Sequence, residues 1–205
     1  MTSDYTPPPA LLRAISREEI ADLPISRYEG DVCLVAAPED VDRAAADIRA
    51  ERVVGFDTET RPAFRKGEVH LPCLAQVATA RAVYLFQLGR PDGYGILAEM
   101  LEDARIVKTG VALSHDLREL KHVFAFHENN VLDLGIVARR NGLGQTGLRN
   151  LAGIFMGIRI PKGAKTTNWA AARLSPAQIN YAATDAWACR ELYLRFASLG
   201  LTRVP

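Results

Sequence analysis

In Val53-Val54-Gly55-Phe56-Asp57-Thr58-Glu59 an apolar run ends in two carboxylates at positions i and i+2. Side chains on a strand alternate with a period of two, so Asp57 and Glu59 share one face. Like charges about 4 Å apart repel by roughly 4 kcal/mol at an effective dielectric near 20, and such a pair at the end of a buried strand calls for a cation between them. Oxygen-only ligands suit a hard divalent ion, magnesium or manganese. A lone Asp-x-Glu also fits two acids splaying into solvent where a strand ends. The rest of the chain decides between these readings.

Tyr181 and Asp185, four residues apart in Ile179-Asn180-Tyr181-Ala182-Ala183-Thr184-Asp185-Ala186, project from one face of a helix among small neighbours that permit close approach. A third carboxylate is thereby paired with a phenol. Gly110-Val111-Ala112-Leu113-Ser114-His115-Asp116 supplies a fourth acid after a short strand, at a place that suits either metal binding or the capping of the next helix. Asp133, also after a short apolar run, rivals Asp116 for that fourth position and ranks second.

The net charge of +1 conceals a strong asymmetry, because the 51 residues from Leu134 to Thr184 contain no Asp or Glu and hold Arg139, Arg140, Arg149, Arg159, Lys162, Lys165 and Arg173. A segment of +7 fits a solvated basic face or a surface for a polyanion, since neutralising phosphates releases counterions and drives nucleic-acid binding. Arg149, Lys162 and Lys165 are the candidate phosphate contacts. Trp169 can stack on a base or pack in the core.

Elements must hold these groups in place. The spacing predicts a loose tail over the first dozen residues, a fold starting near Tyr28, strands over 32–36 and 53–59, and a helix over 38–48 with acids in its first turn. Runs 73–79 and 82–88 lie too close together for an intervening helix, so they form a meander with the preceding strand. A helix over 95–102 and a short strand over 106–109 follow, and from Ser114 the apolar spacing is mostly helical. The last helix is well signalled: Ser175 caps it, Pro176 fits its first position, and Gln178 completes a capping box. The reading is an α/β chain with an extension over 1–27, one domain over 28–200 and a tail over 201–205.

Three motifs in this order, Val53-Val54-Gly55-Phe56-Asp57-Thr58-Glu59, Gly110-Val111-Ala112-Leu113-Ser114-His115-Asp116 and Tyr181-Ala182-Ala183-Thr184-Asp185-Ala186, resemble the DEDD superfamily of 3′–5′ exonucleases. The linking stretch Lys162-Gly163-Ala164-Lys165-Thr166-Thr167-Asn168-Trp169, followed by Leu174, Gln178 and Tyr181, is similar to the family's approach to its last helix, and the likeness runs over about 32–196. Asn180 stands where a related branch has histidine, so the tyrosine-bearing branch, with ribonuclease D and Werner-type exonuclease domains, fits better. The resemblance implies a ribonuclease H-like mixed sheet with an antiparallel meander, flanked by helices. It also implies two ions, Mg2+ or Mn2+, that clamp the terminal phosphodiester of DNA or RNA. Asp57, Glu59 and Asp185 would hold one ion; Asp57 and Asp116, the latter through water, would hold the other. Tyr181, with an ordinary pKa near 10, is a poor base at neutral pH and is assigned to orienting the attacking water.

Other readings are weaker. With 205 residues, 48% apolar and 24% charged, the chain is an ordinary globular protein of one domain, without the roughly 20-residue apolar run of a membrane span or a secretory start, and it reads as cytoplasmic. Cys33, Cys73 and Cys189 are too far apart for a zinc site and are expected to be buried thiols. His122 and His127 lack an upstream cysteine pair, and Gly142-Leu143-Gly144-Gln145-Thr146-Gly147 lacks the strand and acid of a dinucleotide fingerprint, so it is a loop between helices. The competing functions are a nucleic-acid-binding module of the same fold without catalysis, and a phosphohydrolase of the Asp-x-Asp type. The second would have Asp where Glu59 stands.

Overall fold

The computed structural model describes residues 13–65 and 67–202. Six strands, β1 (Asp31–Val35), β2 (Val53–Thr60), β3 (Pro72–Ala78), β4 (Ala82–Gln87), β5 (Val107–Gly110) and β6 (Val131–Asp133), form one mixed sheet in the order β1-β4-β3-β2-β5-β6. β2, β3 and β4 are the expected antiparallel meander, while β1 joins β4, and β5 and β6 extend from β2, in parallel. Thr79 closes the β3–β4 turn: its N–H and its hydroxyl each donate to the Ala82 carbonyl at 2.9 Å, and the hydroxyl accepts from Ala82 N–H. β6, three residues long, was not foreseen beyond the short apolar run before Asp133.

Among the described residues seven α-helices accompany the sheet: α1 (Arg17–Asp22), α2 (Pro38–Arg49), α3 (Tyr94–Glu102), α4 (Leu113–Leu120), α5 (Leu134–Arg140), α6 (Leu148–Met156) and α7 (Pro176–Ser198). Strand alternation sends Val54 and Phe56 into a core with Ile48, Leu97, Leu101, Leu113 and Leu117 from α2, α3 and α4. On the opposite face Val53 and Val107 pack with Leu151, Phe155, Leu192 and Phe196 of α6 and α7. The first half of α7 lays Ala182, Ala183 and Ala186 over Leu74, Ala78 and Leu85. The Ser175–Gln178 capping box starts α7 as its sequence requires.

Packing also reaches back before Tyr28. α1 has a Ser16–Glu19 capping box, Ile15 is buried, and its N–H and C=O are both held by the Gln145 amide. Arg159 N–H donates to Pro24 O, and Ser26 N–H donates to Arg159 O. Cys189 is buried, whereas Cys33 and Cys73 are only half-buried, and all three are free thiols. No helix among the described residues is long and apolar enough to cross a membrane.

Candidate active site

The site is founded on a close approach of α7 to β2. A Cβ on Gly55 would stand 2.0 Å from the Ala186 carbonyl oxygen, so only glycine lets helix and strand meet there. Two and four residues further along the same face come Asp57 and Glu59, and α7 answers with Asp185. Ligand oxygens of Asp57, Glu59 and Asp185 all lie within 4.8 Å of one another. Glu59 and Asp185 are each 7% exposed, so little water screens this charge. Burial pushes the Asp57 carboxyl well above the usual carboxylate range, and Asp185, Glu59 and Asp116 push it further; the Thr58 N–H, which donates to Asp57 at 2.9 Å, opposes them.

Asp116 is held differently. It sits in the first turn of α4, outside the three-carboxylate group, yet close enough for its charge to act on Asp57. Burial, with Asp133 adding to it, raises Asp116 to about 6 against the opposing influence of Thr58 and His115. α4 begins at Ala112, a left-handed residue (φ 63°) with no capping side chain. Asp133 takes over that task. One of its oxygens accepts from Gly135 N–H and Ile136 N–H and caps α5; the other accepts from Leu113 N–H at 3.1 Å and ties down the start of α4. Asp133 therefore holds the start of the helix that carries Asp116.

Asp57, Glu59, Tyr181 and Asp185 line one cavity of about 340 Å3 together with Thr58, Gly147, Arg149 and Asn150. Tyr181 packs against Gly163, where a Cβ would come within 2.9 Å of its ring. Burial first, and then the charges of Asp185 and Glu59, raise the phenol above its ordinary pKa; Arg149 pulls the other way. Arg149 is half-buried, with one Nη bonded to Pro161 O at 3.3 Å and its Nε buried without a partner. Lys162 is exposed and lines an adjoining cavity; the Lys165 side chain lies outside the described residues.

Trp169 is corrected: at 1% exposure it offers no face to a base and instead packs in the core 6.0 Å from the Tyr181 ring. The basic segment is also not one surface, since Arg139 and Arg140 sit in the last turn of α5 and Arg159 donates to Ala21 O. Asn150 and Cys189 were not anticipated among the lining residues. Helical spacing from Asp185 to Cys189 was the available signal for the second.

The donor set fits a divalent ion. Three oxygen donors converge, and both the burial of Asp57 and the neighbouring carboxylates that add to its upward push favour a cation at this place. The histidine-free trio belongs to hard-ion chemistry rather than to zinc.

Residues 33–200 match the family model described as 3′–5′ exonuclease. A 3′–5′ exonuclease of Arabidopsis thaliana is 30% identical over 202 residues, covering 87% of this chain and 68% of the relative. Ribonuclease D of Gluconacetobacter diazotrophicus is 30% identical over 167 residues, 80% of this chain but 42% of that protein, so the chain spans less than half of this relative. The fold is shared with the Aedes aegypti Nibbler EXO domain, with a TM-score of 0.75 at 22% identity over 85% of this chain and 92% of that one. The chain therefore belongs to the 3′–5′ exonuclease family of the DEDD superfamily, enzymes of the ribonuclease D kind.

Proposed function

We propose that this chain removes nucleotides from the 3′ end of a polynucleotide by two-ion hydrolysis, with Mg2+ or Mn2+ as the ions. The observation that carries the reading is the convergence of Asp57, Glu59 and Asp185 within 4.8 Å beside Tyr181 and Arg149. Asp57, Glu59 and Asp185 would hold one ion, and Asp57 with Asp116 the other. When bound, the ions lower the pKa of the attacking water and neutralise charge on the leaving 3′ oxygen.

The chain's own groups do the rest. Tyr181, kept protonated by its buried and negatively charged surroundings, donates or accepts a hydrogen bond and orients water; it does not remove a proton. Arg149, held by Pro161 O, offers its guanidinium to a phosphate oxygen in the same cavity. Lys162 is assigned to the substrate backbone, and its replacement by Ala should flatten the dependence of log affinity on log salt by roughly 0.7 for a single strand.

Digestion of matched 5′-labelled DNA and RNA oligomers with magnesium or manganese tests the proposal. A ladder shortening from the 3′ end, absent with chelator, is the expected result, and the faster oligomer assigns the sugar. Binding without any cleavage would replace the reading by that of a catalytically inactive binding module.

A further inference from the structure

Tyr181 and Asp185 also form a wall of a second cavity, of about 540 Å3, on the other side of the start of α7. Its remaining lining comes from the Ile160–Ala164 stretch, from Pro176, Ala177, Asn180 and Thr184 of α7, and from Arg27. Two cations, Arg27 and Lys162, therefore face a space large enough for a nucleotide and contiguous with the carboxylates. Neither has a carboxylate within ion-pair distance among the described residues. Pro176 and Ala177 are the first two residues of a 23-residue helix, whose positive dipole end opens on the same space.

Arg27 is not a stray surface arginine. Its neighbour Ser26 donates its N–H to Arg159 O, and Tyr28 donates its N–H to the Thr184 hydroxyl, which in turn donates to Asn180 O. The backbone on either side of Arg27 is thus pinned, on one side to Arg159 just before the Ile160–Ala164 wall and on the other to Thr184 of α7, which lines the cavity. The Tyr28 ring lies 6.2 Å from Trp187 and fixes the exit of the segment. The backbone that carries Arg27 is therefore fixed on folding, and the exposed side chain has only its own rotamers to settle when an anion binds.

We propose that this second cavity is a nucleotide-phosphate subsite anchored by Arg27, serving the exonuclease site it adjoins and resting on that reading. Its occupant is a phosphate of the uncut strand or that of the released mononucleotide. Both have the same chemistry, a phosphodiester or phosphomonoester in the cavity that Arg27 and Lys162 line.

The test is made in the full chain carrying Asp57→Asn, which prevents digestion, with Arg27→Ala, Arg27→Lys and, as a charge control on the opposite face of the sheet, Arg43→Ala. Circular dichroism confirms that each variant is folded. Anisotropy of a labelled single strand across a salt series should show Arg27→Ala weakening binding about tenfold and flattening the log–log slope by roughly 0.7, with Arg27→Lys restoring the slope and Arg43→Ala matching the parent. Competition by a nucleoside 5′-monophosphate is the second arm. If Arg27→Ala weakens the monophosphate too, the cavity takes the product; if it weakens only the oligomer, the cavity takes the strand; either result supports the subsite. Unchanged oligomer slope and unchanged competition in Arg27→Ala overturn it. Should the chain with Asp57 intact cleave no oligomer while the Arg27 effects hold, the hydrolysis reading fails and the subsite stands.

Discussion

Two supports carry the four acids, and they are built to different standards. Asp57, Glu59 and Asp185 stand on the central strand and the longest helix, pressed together at Gly55 with no room for a methyl group. Asp116 stands on an eight-residue helix that starts from a left-handed alanine and is tied to the sheet by a carboxylate from another element. Close-packed interiors tolerate little displacement, whereas a short helix held by one polar tie can shift. On the proposed assignment, the first ion site would be preformed by packing, and the second would depend on a hydrogen bond.

The largest effect is expected at the first support. Asp57→Asn removes the charge proposed to be shared by both ion sites and should reduce cleavage to background with the thermal transition intact; wild-type cleavage by the folded variant would remove Asp57 from the centre. Gly55→Ala should destabilise the fold by about 3 kcal/mol or more, because neither the Ala186 carbonyl nor the strand can yield 1 Å without moving the sheet. Urea unfolding checks this, and an unaltered midpoint would show that α7 is less firmly seated on β2 than the geometry requires.

Tyr181→Phe deletes only a hydroxyl and should slow turnover roughly 10- to 100-fold while leaving manganese affinity nearly unchanged. A large loss of affinity would make the phenol part of the ion site. At the second support, Asp133→Ala should cost about 1 kcal/mol of stability through the lost cap and slow cleavage about tenfold through a displaced Asp116. Asp133→Asn sharpens the distinction. Its single carbonyl oxygen can still cap α5, so stability should return, but it cannot also hold Leu113 N–H, so cleavage should remain slow. Full recovery of both by Asn would show that the Leu113 tie does not place Asp116.

The first support was legible in the sequence because its signals are local: alternation placed Asp57 and Glu59 on one face, the i, i+4 pair placed Tyr181 with Asp185, and the Ser175–Gln178 box placed the helix start. The second was less so. Asp133 and Asp116 are 17 positions apart, and nothing in either motif says that one supports the other. β6 escaped notice because three half-buried residues show no period. α1 was overlooked although Ser16 and Glu19 form a capping box as plain as that of α7. Trp169 was undecidable from composition alone, since burial is a property of the packed core. Arg27 enters the site region only through hydrogen bonds to residues more than 130 positions away.

The most direct test of a preformed first site and a dependent second one is manganese binding to the protein without substrate, counted by electron paramagnetic resonance, in wild type, Asp116→Asn and Asp57→Asn. The account predicts that Asp116→Asn keeps the tighter ion with affinity within about threefold of wild type and loses only the weaker one, and that Asp57→Asn loses both. Equal loss of the tight ion in Asp116→Asn and Asp57→Asn would contradict it, because the four acids would then form one site that no single support builds in advance.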